Sequence, residues 1–130
     1  MNTISFKREL TCSVENAIKR SEDALKAEGF GILTRIDLHL KIKEKINKEI
    51  PITVILGACK PSLAYEAFQK NSDVASLLPC NVVVRDLGKG KVSIEIAKPT
   101  AMMKILGDED LVKLAKEADT QLEHALEKIN

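Results

Sequence analysis

The chemistry in this chain begins with sulfur. Cys59 stands in "VILGACKP", at the end of an apolar run and two residues before Pro61, which suits the first position of a helix. A thiol between a strand and a helix start faces unpaired backbone N–H groups and the positive end of the helix dipole, both of which stabilise thiolate. Lys60 adds a neighbouring cation. The residues that follow are Lys60, Pro61 and Ser62, so the local two-cysteine motif of thiol oxidoreductases is missing and a resolving partner would have to be Cys80. Whether the two sulfurs meet depends on strand direction. If the strand that begins near Asn81 runs antiparallel to 52–58, both thiols sit at one end of the sheet; if parallel, they lie at opposite ends, about 15 Å or more apart. The plainer reading is that Cys59 and Cys80 pack as small hydrophobes, and Cys12, between a strand end and a helix cap, has no chemical partner nearby.

Other chemistry-bearing residues give weaker signals. Met102 and Met103 are soft sulfur donors suited to copper(I) or haem iron, although adjacent methionines in a short amphipathic helix usually fill a core. No cofactor or metal is expected. His39 and His124 have no ligand-type partner at helical spacing and read as solvent-facing or locally bonded. "GKGK" at 88–91 has neither the spacing nor the Ser or Thr of a Walker loop, and a strand follows it, so it reads as a hairpin turn. The lysines of 41–48 are broken by Glu44 and lack aromatic neighbours, which favours a solvated helix face over nucleic acid or lipid. Thr34 and Asp37 serve a sheet surface as easily as a pocket wall.

The elements that must position these groups follow from periodicity. Ile4, Phe6 and Leu10 alternate with polar residues over 3–11, giving a half-buried strand. Ser13 caps a helix carrying Val14, Ala17, Ile18, Ala24 and Leu25, closed by Gly29 with Phe30 folding back. Period two returns through Ile32, Ile36, Leu38 and Leu40, then a short lysine-rich helix is expected at 41–48, stopped by Pro51. "ITVILGA" reads as the central strand. A helix follows from Pro61 with Leu63, Ala64, Ala67 and Phe68 inward, then a short turn capped by Ser72. "NVVVRDLGKGKVSIEIA" is a hairpin. "TAMMKIL" is a short helix ended by Gly107, and Asp108, Glu109 and Asp110 open a long final helix with Leu111, Leu114, Ala118, Leu122, Ala125 and Ile129 as its apolar stripe. This order implies an α+β two-layer sandwich: a mixed sheet of about five strands with helices covering one face.

Composition agrees with one domain over residues 1–130: 45% apolar and 30% charged residues can close a single core. A net charge of +1 provides no field toward phosphate backbones, so no nucleic acid is expected. The start has no apolar stretch of signal-peptide length and no run reaches membrane-spanning length, so a cytoplasmic protein with no membrane partner is expected. Three unevenly spaced cysteines suit reduced thiols.

At "EGFGILTRID", "ILGACKPSLAYEAF", "LLPCNVVV" and "KPTAMM" the chain resembles an uncharacterised bacterial and archaeal family, domain of unknown function 302, from about Ile4 to about Leu126. The resemblance implies a compact α+β domain, often a dimer, and supplies no activity. Lys60 and Lys98 depart from the pattern this resemblance implies, which more often has asparagine at the first and an acidic residue at the second, and both add positive charge.

Because the specific phrases fall at element ends, the leading expectation is a small-ligand-binding domain. Its pocket would form where the strand end at Cys59 and Lys60, the segment around Cys80 and Asn81, and the helix start from Pro99 to Met102 and Met103 converge. The rivals are a thiol-dependent redox or thiol-transfer protein with Cys59 as nucleophile and Cys80 resolving, and a homodimerisation module that uses the long C-terminal helix.

Overall fold

The computed structural model describes residues 4–129, so Thr3, at the edge of the first expected strand, lies outside the described residues. Five strands form one sheet: β1 (Ser5–Thr11), β2 (Gly31–Asp37), β3 (Thr53–Cys59), β4 (Cys80–Gly88) and β5 (Lys91–Ala97). Their spatial order is β1-β5-β4-β3-β2, and every neighbouring pair is antiparallel. The α+β expectation holds, but the sheet is not mixed. The strand–helix–strand order of β1, α1 (Val14–Ala27) and β2 is one that a parallel pair would also have. These two strands do run the same way, yet they form opposite edges, and α1 crosses behind the three strands between them. β3 is interior, as expected, although β4 holds the middle position.

The pleat sorts the side chains. Val54, Leu56 and Ala58 of β3, Val82 and Val84 of β4, and Val92, Ile94 and Ile96 of β5 are buried together with Ala17, Ile18 and Leu25 of α1 and Leu122, Ala125 and Leu126 of α5 (Glu109–Glu127). Alternate strand residues on the other face, including Lys7, Glu9, Ile36 and Asn81, are exposed. Helices therefore cover one face, as the alternation requires.

Local signals act as the residue types dictate. Ser13 Oγ accepts from the Asn16 N–H at 3.1 Å and caps α1. Gly29, at φ +89°, ends that helix, and the Phe30 N–H returns to the Leu25 carbonyl at 2.9 Å. The β4–β5 turn places Lys89 at φ 56° and Gly90 at φ 77°, the paired positive φ angles that suit a tight hairpin.

One boundary differs. α2 spans Leu38–Ile46 and not 41–48, so Leu38 and Leu40 belong to a helix and β2 stops at Asp37. A shift in pairing between Ile32 and Thr34 breaks the simple alternation of β2. His39 accordingly lies in the first turn of α2, where its Nδ1 accepts from the Thr53 N–H at 3.2 Å.

The strand directions bring five chain ends together: the starts of β1, β2 and β4 and the finishes of β3 and β5. At that end the chain inserts α3 (Pro61–Lys70), a 3₁₀ turn (Ser72–Leu77) and α4 (Pro99–Leu106). These build a second apolar cluster of Ala67, Val74, Met103, Leu111 and Ala115, with Leu77, Leu78, Met102, Leu106, Val112 and Leu114 packed against it. Phe68, expected inward, is 48% exposed. No described helix is long and apolar enough to cross a membrane.

Candidate functional site

Between the two apolar clusters lies a cavity of about 60 Å³. From the main core it is bounded by Phe30, Ala58, Leu63 and Ala118, from the smaller cluster by Ala67, Val74, Met103, Leu111 and Ala115, and at the start of β4 by Cys80. Cys59, Lys60 and Pro99 also line it. Five alanines, Ala58, Ala64, Ala67, Ala115 and Ala118, leave the space open where larger side chains would close it. The walls are nearly all apolar, so water inside would find few of the two to four polar partners it needs.

The site segments expected from sequence meet at this cavity, but two of the named residues, Met102 and Asn81, do not line it. Cys59, Lys60 and Cys80 line the cavity. Met103 lines it in place of Met102, which is half-buried against the smaller cluster, because adjacent helix positions point about 100° apart. Asn81 is exposed and does not line it, because it follows Cys80 on the opposite side of the pleat. Sequence reasoning missed Leu111, Leu114, Ala115 and Ala118; the visible signal was small residues on the inward stripe of a long helix.

The thiols are close in register and unpaired. Ala58 is the residue opposite Cys80, so Cys59 is offset from Cys80 by one position across an antiparallel pair. Strand spacing puts the two Cα atoms about 6 Å apart, within reach of a disulfide by distance. Both residues border the cavity and Cys59 lies near enough to raise the Cys80 thiol, yet the three cysteines are free thiols.

Electrostatics opposes a reactive thiolate. Burial raises the Cys59 thiol above its ordinary value. Cys80 is pushed up to about 11, first by burial and then by the nearby Cys59 and Asp119. The residue retains some exposed surface, but burial is still the largest cause of its shift. Lys60, the cation expected to help, has its Nζ donating to Gln121 Oε1 at 3.0 Å and 5.9 Å from the centre of the Phe30 ring, with no hydrogen bond to either thiol among the described residues.

Asp119 has a structural role. Its Oδ1 accepts from the Thr100 N–H at 3.0 Å and its Oδ2 from Thr100 Oγ1 at 2.6 Å, so a carboxylate from α5 caps α4, whose own preceding residue, Lys98, makes no side-chain cap. This fixes Pro99 and Met103 against the cavity.

The remaining candidates lie elsewhere. Asp37 is held by Arg35, whose Nε donates to Asp37 Oδ1 at 2.8 Å while Nη2 reaches Glu15 Oε1 at 3.0 Å. That contact lowers the Asp37 carboxyl and raises the Arg35 guanidinium. Thr34 sits opposite Gly57 in the β2–β3 pair. His124 Nδ1 lies 2.9 Å from Glu28 Oε2 at an exposed position. Cys12 packs, half-buried, against the main core.

An antiparallel five-stranded sheet with helices on one face and an apolar cavity at one end defines an α+β domain with space for a small guest. The chain belongs to the family described as Domain of unknown function DUF302, which it matches over residues 6–129. It is similar, at 28% identity, to an uncharacterised conserved DUF302 protein from Bacillus stearothermophilus known from its crystal structure. That likeness has a TM-score of 0.91 and covers 99% of this chain and 100% of the other. No curated protein matches the chain.

Proposed function

We propose that this protein is a small-ligand-binding domain whose ligand occupies the cavity between the two apolar clusters. The observation that carries the reading is a partly open space between three helices and the ends of β3 and β4, lined almost wholly by apolar side chains, with Lys60 the only charged residue among the described residues that line it. A close-packed interior rarely leaves such a space, and an apolar one favours an apolar guest over water.

Xenon is a suitable probe because it needs no polar partner. Xenon-pressurised crystals of the wild-type protein are expected to hold a xenon atom among Ala67, Met103 and Ala115. Ala115→Leu would fill the space and abolish that density, with circular dichroism confirming the fold. A wild-type crystal without xenon in the cavity removes the reading.

The thiol-transfer reading finds less support. Both thiols are raised in pKa, so neither carries the thiolate population that a nucleophile at neutral pH requires.

A homodimer remains part of the reading, on a different helix from the one expected. The apolar stripe of α5 is spent inside the protomer, with Leu111, Leu122 and Leu126 buried. α2 instead has no buried residue, and Leu40 and Ile46 are 56% and 64% exposed. A second copy covering α2 would bury these side chains.

A further inference from the structure

We propose that the ligand is a short aliphatic carboxylate, its chain in the cavity and its carboxylate on the Lys60 ammonium. The inference rests on the reading of the cavity as a binding site and adds the ligand's chemical class.

The shape of the site sets the chain. A cavity of about 60 Å³ admits the centres of a few water-sized atoms, which corresponds to about four to six heavy atoms. Its lining supplies alanine, leucine, valine, phenylalanine and methionine contacts and no carboxylate or amide. A straight or branched alkyl group is matched by such walls, and a sugar or nucleotide is not.

Lys60 sets the other end. It is half-buried, lines the cavity, and has no carboxylate partner among the described residues. Its ammonium is held by two neutral groups: the Gln121 amide oxygen at 3.0 Å and the face of Phe30, which itself lines the cavity. An ammonium has three donors, and one is committed here. The Lys60 side chain passes close to Gly29, where an added Cβ would lie 3.2 Å from Lys60 Cε. The result is a positioned cation with spare donors at the border of an apolar space.

One lysine matches a monoanion. A phosphate group carries more charge and is commonly gripped by arginine forks, and no arginine lines the cavity. A primary amine would meet like charge at Lys60. A neutral alcohol would gain the apolar contacts but not the charge-assisted hydrogen bond.

Isothermal titration with butanoate, hexanoate, butan-1-ol and butylamine tests the proposal. Affinity is expected to rise by up to about fourfold per methylene from butanoate toward hexanoate until the cavity is full. Butanoate should bind at least about tenfold more tightly than butan-1-ol, the value of a hydrogen bond between charged groups, and butylamine should bind least. Lys60→Met should remove the advantage of butanoate over butan-1-ol. Lys60→Gln, which keeps a polar side chain, should do the same and covers the case in which the methionine variant fails to fold. Equal binding of butanoate and butan-1-ol to the wild type overturns the carboxylate assignment while leaving the cavity reading in place. Absence of binding by all four, together with xenon occupancy, also overturns it; absence of xenon as well removes the cavity reading.

Discussion

At the scale of single residues, environment decides what Cys59 can do. Its position before Pro61 was legible and suggested activation, but activation needs the thiolate to be better solvated than the thiol. The structure does the opposite, raising Cys59 by burial and Cys80 to about 11. Sequence could not show this, because the cavity the two thiols border is closed by segments distant in the chain, from Phe30 to Ala118. Two outcomes follow. Iodoacetamide at pH 7 should label Cys80 very slowly in the native protein and fully after denaturation, read by mass spectrometry; fast native labelling of Cys80 contradicts its placement. Stability should also respond to alkali with a definite sign. A thiol raised in the folded state binds its proton more tightly there, so unfolding releases that proton between the ordinary value of about 9 and the folded value of about 11. Stability is retained below pH 9 and falls as pH rises from 9 to 11. Cys80→Ala should flatten that fall in thermal unfolding curves, and an unchanged slope would refute the assignment.

At the scale of elements, most of the fold was written in local signals. Ser13 and Gly29 bound α1, Pro61 opens α3 and Gly107 closes α4 at φ 70° because each residue type solves a local backbone problem. α2 was misplaced because Leu38 and Leu40 continue the period of β2 while sitting in a helix, and the shift between Ile32 and Thr34 breaks the strand's own period. Strand neighbours were not legible either, since nothing local says that α1 crosses the whole sheet. Gly57 is a further case: in sequence it interrupts an apolar strand for no visible reason. In the structure a side chain there would run into Thr34 Oγ1 from β2 and the Pro79 ring ahead of β4. Gly57→Ala must therefore push apart three segments that meet beside Cys59, and a cost of about 1–3 kcal/mol is expected, the range for overpacking. Urea unfolding measures it, and a variant as stable as the wild type would show that these segments yield freely.

At the scale of the whole molecule, two apolar clusters account for where space is left inside and where apolar surface is left outside. The main cluster joins α1 and α5 to the sheet, and the smaller one gathers α3, α4 and the first half of α5; the cavity is the seam between them. α2 belongs to neither. A helix of Leu38, Leu40, Ile42 and Ile46 with no buried residue obtains little stabilisation from its own protomer, and isolated helices of nine residues are marginal in water. Burying Leu40 and Ile46 against a second copy would contribute about 1.5–3 kcal/mol for each side chain fully covered. Sedimentation velocity over a range of protein concentrations should then show mass rising toward a dimer. Leu40→Asp together with Ile46→Glu should hold the protein monomeric without lowering the unfolding temperature of the monomer, since neither side chain supports either apolar cluster. A wild-type protein that stays monomeric at millimolar concentration would leave α2 a helix sustained within its own protomer, by its contacts with β3, the His39–Thr53 bond and the Lys41–Glu44 and Lys43–Glu49 ion pairs.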